Sequence, residues 1–94
     1  MNLRVMPHAK RRLEEIEQYY IAEHSPRSAI AMRDRILKTF GRIADFPKSG
    51  RTANRINRRE MVVTGTPYII RYRVMKNEIQ IINVKHGAQN QWKP

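Results

Sequence analysis

Apolar and polar positions along the chain change period several times, and each change marks an element. LRVM, Leu3 to Met6, alternates and is stopped by Pro7, which predicts a short strand leading into a helix with proline in its first turn. From His8 to His24 the residues Ala9, Leu13, Ile16 and Tyr20 recur at helical spacing, with Glu14, Glu15, Glu17 and Gln18 between them. Ser25-Pro26 supplies an N-cap and a proline at the first helical position, so a second helix starts after almost no loop and forms a hairpin with the first. This helix extends to about Asp45. Ala29, Met32, Ile36, Phe40 and Ile43 form one stripe, with Ile30, Leu37 and Ala44 beside it, an arc of roughly 160°. An arc that wide either packs on both the sheet and the partner helix or stays partly exposed as a docking surface. Arg33 falls within it and is expected at the rim, facing a partner carboxylate.

FPKSGR, Phe46 to Arg51, ends the helix, and the next residues read as a loop through Arg59. Arg51, Arg55, Arg58 and Arg59 concentrate charge there, either as a solvated basic loop or as a phosphate-contacting one. Met61 to Thr64, Tyr68 to Met75 and Ile79 to His86 then read as strands, with Lys76-Asn77 as a hairpin tip. In the middle one of the three, Tyr68, Ile70, Tyr72 and Val74 share one face, and Ile69, Arg71, Arg73 and Met75 the other. The first face is expected beneath the helices, leaving Arg71 and Arg73 on an uncovered face, as a contact site for an anion or as protection against edge aggregation. The last strand, with Ile79 and Ile81 on one face and Ile82 and Val84 on the other, is expected in the sheet interior.

The elements amount to a single α+β domain, residues 1–94, of order β-α-α-β-β-β, with a helix hairpin on one face of a small, mostly antiparallel sheet. Charge adds a partner. The 19 Lys+Arg against 8 Asp+Glu give +11, which favours nucleic acid or an acidic protein. With no cysteine there is neither a disulfide framework nor a Cys-based zinc site, and the apolar runs fall short of the roughly 20 residues of a membrane span. A cytoplasmic location without membrane attachment is expected. His8, His24 and His86 lack metal-ligand spacing, and no phosphate-binding glycine loop or nucleophile motif is present, so no metal and no cofactor are expected.

SPRSA at 25–29, FPKSGR, GTPYIIRY at 65–72 and VKHGAQNQW at 84–92 together resemble the RelE/ParE superfamily of toxins of bacterial type II toxin–antitoxin modules, over nearly the whole chain. The resemblance implies a growth-arresting toxin of an addiction or plasmid-stabilisation module, held in a heteromeric complex by an acidic antitoxin. Ile30, Arg33, Leu37 and Trp92 are the expected antitoxin contacts. ParE-like members inhibit DNA gyrase without nuclease chemistry, whereas RelE-like members cut mRNA on the ribosome. RelE-like nucleases carry an arginine where Ile69 stands and a C-terminal tyrosine that this tail lacks, so the ParE-like branch is favoured. Arg51, Arg55, Arg58, Arg59, Arg71 and Arg73 are then target contacts. For a ribonuclease, His86 would be the acid, Glu60 a remote base, and Lys85, Arg71 and Arg73 the phosphate clamps. A basic nucleic-acid-binding module is the non-toxin alternative.

Overall fold

A computed structural model describes residues 1–53 and 57–87. Strand β1 (Asn2–Val5) is followed by helices α1 (Pro7–Glu23) and α2 (Pro26–Asp45), then by β2 (Arg51–Thr52), β3 (Arg58–Val62), β4 (Tyr68–Val74) and β5 (Glu78–His86). Both helices begin at proline, which has no N–H to leave unsatisfied. The Ser25 hydroxyl accepts from Ser28 N at 3.0 Å and caps α2, so the chain turns from one helix into the next within two residues.

The sheet order is β1-β5-β4-β3-β2, with β1 parallel to β5 and every other pair antiparallel. The mixed sheet follows from the chain path: the helical hairpin between β1 and the rest forms a crossover, and the later strands are joined by short turns. Both helices pack on one side. Ile16, Ile36, Phe40 and Ile43 meet Ile70, Tyr72, Ile79 and Ile81 in one core.

Two expectations need correction. The segment 46–59 is not all loop: Arg51 pairs with Glu60 in β2–β3, and Arg58 and Arg59 lie in β3 opposite Arg73 and Tyr72. Their strand character comes from pairing with β4 rather than from apolar alternation, so the pattern concealed it. In β5, Val84 lies on the core face together with Ile79 and Ile81, not opposite them. Arg71 pairs with Asn83 but Tyr72 with Ile81, so Ile82 is an extra residue, and this bulge inverts the alternation beyond it. β5 is otherwise interior, between β1 and β4, as its two apolar faces predict.

Candidate functional site

Alternation along β4 puts Tyr68, Ile70 and Tyr72 in the core and turns Arg71 and Arg73 to the face opposite α1 and α2. Arg58 stands across from Arg73, Glu60 from Arg71, and Arg51 from Glu60 on the next strand. Lys85 arrives from β5 on the other side. Glu60 is the centre of this face. Its Oε2 accepts from Arg71 Nε at 3.1 Å and Nη2 at 2.7 Å and from Lys85 Nζ at 2.7 Å, and its Oε1 accepts from Arg51 Nη2 at 3.0 Å. Although neither α1 nor α2 covers this face, the Glu60 side chain is only 8% exposed and that of Lys85 only 12%, because the long cationic side chains lie over the carboxylate. Burial alone would raise the Glu60 carboxyl; hydrogen bonds from Lys85, Arg71 and Arg51 outweigh it and bring the pKa from its ordinary 4.5 to about 2.

Arg73 is anchored separately. Its Nε and Nη2 both donate to Gln80 Oε1, at 3.1 and 2.6 Å, and Gln80 Nε2 donates in turn to Glu78 Oε2 at 2.6 Å. Arg4 reaches the same Glu78 at 3.6 Å. Among the described residues, the cations Arg4, Arg51, Arg58, Arg71, Arg73 and Lys85 outnumber Glu60 and Glu78 on this face, so these side chains keep a positive field after their own pairs are made. Asn83, opposite Arg71 at the bulge, has its Oδ1 buried without a hydrogen-bond partner among the described residues.

His86 is separated from these cations. It pairs with Tyr68 across β4–β5, ring centroids 5.6 Å apart, and lines a depression of about 380 Å³ with Arg12, Glu15, Ile16, Tyr19, Tyr20 and Tyr68 on the helix side of the sheet. Lys85, its neighbour in sequence, reaches Glu60 on the opposite side. Burial, with a hydrogen bond to Tyr20 next in weight, pushes the Tyr68 phenol up to about 12. Tyr68 therefore stays protonated at neutral pH.

Arg59 has a structural task. Its Nη1 donates to Lys48 O at 3.1 Å and Gly50 O at 2.8 Å, tying the 46–50 turn to β3. From the core side, the Tyr72 hydroxyl donates to Pro47 O at 2.7 Å and accepts from Gly50 N at 3.0 Å. A Cβ at Gly50 would collide with that hydroxyl, which explains the glycine in FPKSGR.

Between the helices, Leu13, Ile16, Ala29, Met32, Ile36 and Leu37 line an apolar groove of about 210 Å³, with Glu14, Glu17 and Arg33 also on its walls. Ile30 is 60% and Leu37 48% exposed, so this flank of the wide α2 arc is left uncovered. Arg33 is exposed, as its rim position predicts. Arg55 and Trp92 lie outside the described residues. Among the described residues, no cluster of three His, Asp or Glu could hold a metal ion, and no helix is long and apolar enough to cross a membrane. Sequence reasoning missed Glu60 as the hub; its signal is an acidic residue set among Arg51, Arg55, Arg58 and Arg59.

The chain is similar to known toxins along most of its length. Residues 3–91 match the family of the ParE toxin of type II toxin–antitoxin systems. It is 38% identical over 84 residues to the Sinorhizobium fredii protein Y4kP, covering 89% of this chain and 84% of that one. It is 36% identical over 70 residues to Toxin RelE2 of Caulobacter vibrioides, covering 74% and 77%. In structure, a chain of a chromosomal ParDE toxin–antitoxin system from P. aeruginosa superposes with a TM-score of 0.83 at 22% identity, over 92% of this chain and 95% of that one, which establishes the shared fold. With its helix hairpin on a five-stranded mixed sheet and a family match from residue 3 to residue 91, the chain belongs to the ParE toxin family of type II toxin–antitoxin systems.

Proposed function

We propose that this toxin arrests growth by binding and inhibiting DNA gyrase, acts in the cytoplasm as part of a plasmid-stabilising module, and is neutralised by an acidic antitoxin. The observation that carries the reading is the state of Glu60. A carboxylate with a pKa of about 2, its oxygens occupied by Arg51, Arg71 and Lys85, is a very weak base at neutral pH. His86, the expected acid, sits on the other side of the sheet with Tyr68. General acid and base thus do not converge on one phosphate position. What remains on the uncovered face is an organised cationic surface, suited to binding an acidic target by charge and shape.

Arg51, Arg58, Arg71 and Arg73 are the target contacts in this reading, and Arg55 joins them from outside the described residues. Arg59 contributes by fixing the turn beside them. The antitoxin docks along the α1–α2 groove, where Ile30 and Leu37 offer apolar anchors and Arg33 a charge for its carboxylates. Trp92 is the further antitoxin contact proposed in the tail.

A ribosome-dependent ribonuclease is the second reading, favoured by the 36% identity to Toxin RelE2. Supplying the purified chain to gyrase supercoiling and to ribosome-programmed mRNA cleavage side by side separates the two. Inhibited supercoiling with intact mRNA is the expected result. Cleaved mRNA with undisturbed supercoiling would overturn the gyrase reading. Arg71→Ala with Arg73→Ala is expected to abolish inhibition while antitoxin binding persists; Arg58→Ala with Arg73→Ala repeats the test with the Glu60 cluster intact.

A further inference from the structure

α2 has two exposed flanks of opposite character. At about 100° per residue, Ile30, Arg33 and Leu37 lie on one side of its buried arc, and Arg35, Lys38 and Arg42 on the other. The second flank borders a depression of about 500 Å³ lined by Ala31, Asp34, Arg35, Lys38, Thr39, Arg42 and Thr64. Large apolar or aromatic side chains are missing from that lining, so it lacks the apolar centre typical of a protein interface. Among the described residues no salt bridge engages Arg35, Lys38 or Arg42.

Arg35 is held in place. Its Nη1 donates to Thr64 O at 3.0 Å, bridging α2 to the turn before β4. That turn depends on Gly65, which has φ +78 and where a Cβ would come within 2.6 Å of the same Nη1. The glycine therefore serves both the left-handed backbone and the seating of the guanidinium. From Arg35 to Arg42 the helix advances about 10 Å at ~1.5 Å per residue. A nucleic-acid duplex carries about six negative charges over that length, one per ~1.7 Å.

We propose that the Arg35–Lys38–Arg42 flank of α2 is a second contact surface, one that takes the phosphodiester backbone of a nucleic acid. Contact of this kind needs cations, hydroxyls and small residues that permit close approach, and no base-reading side chain. The surface shares no residue with the sheet-face cluster or with the apolar groove, so this inference does not rest on the gyrase reading.

The test is fluorescence anisotropy of a short duplex DNA of arbitrary sequence with the full chain over a series of salt concentrations, repeated with single-stranded RNA and with polyglutamate. Lys38→Gln with Arg42→Gln removes no hydrogen bond or ion pair of the described fold, and an unchanged unfolding midpoint checks this. Each phosphate contact contributes about 0.9 to the slope of log affinity against log salt, so the variant's slope for DNA is expected to be shallower by about 2. Gly65→Ala is expected to weaken DNA binding further by displacing Arg35. A parent chain that ignores nucleic acid at low salt, a variant that keeps the parental slope, or a loss confined to polyglutamate would overturn the proposal.

Discussion

Arg71 and Tyr72 are adjacent in sequence and face opposite sides of one sheet, and the two sides solve the same problem by different means. On the helix side, Tyr72 is fully buried among Ile70, Ile79 and Ile81, and its one polar atom is satisfied by Pro47 O and Gly50 N. On the other side no described element is layered over the sheet, yet Glu60 is nearly as buried, roofed by the side chains that bind it. Apolar atoms hold the first side together, and removing them leaves a cavity. Ions hold the second, and removing one strands the others in a poorly hydrated place. The face opposite α1 and α2 is thus not simply an exposed face: it is organised, and its charges are presented at fixed positions.

That contrast can be broken from either side. Tyr72→Ala should cost most, about 4–5 kcal/mol in denaturant unfolding, because it opens a core cavity and also releases the 46–50 turn. Glu60→Gln should cost on the order of 3 kcal/mol by removing the charge that Arg71 and the half-buried Lys85 share. Acid should produce much the same loss in the parent chain. The Glu60 pKa is depressed on folding, so its contribution is complete above about pH 4.5 and is lost as pH falls toward 2; a shift of that size is worth about 3 kcal/mol. Stability measured across that interval should fall for the parent and be nearly flat for Glu60→Gln. Tyr72→Phe, which keeps the ring but leaves Gly50 N without its acceptor, should cost about 2 kcal/mol by thermal unfolding. At the low end, Arg73→Ala should change stability by less than about 1 kcal/mol, since its partner Gln80 and the Glu78 behind it stay accessible to water.

Much of this fold could be read from the chain. Pro7 and the Ser25-Pro26 pair marked both helix starts within a residue, because a missing N–H and a side-chain cap act locally. The face assignment along β4 followed from period two alone and put both arginines outside the core. What escaped was non-local. β2 and the first half of β3 carry arginines that reveal a strand only once β4 is beside them, and the bulge at Ile82 depends on a register between strands. The site was legible as a list of cations but not as a cluster. Nothing near Glu60 in sequence indicates that Lys85, 25 residues away, will reach its carboxylate, nor that His86 will turn to the other side.

The account depends most on Glu60 being ionised and held wherever the protein is folded. Carboxyl-carbon NMR of the chain, with Glu60 assigned through Glu60→Gln, reads this directly. A midpoint near 2, coincident with acid unfolding, is the predicted result. A midpoint at or above 4.5 in the folded chain would mean that the carboxylate is not clamped by its three cations, and would restore it as a base for catalysis on that face.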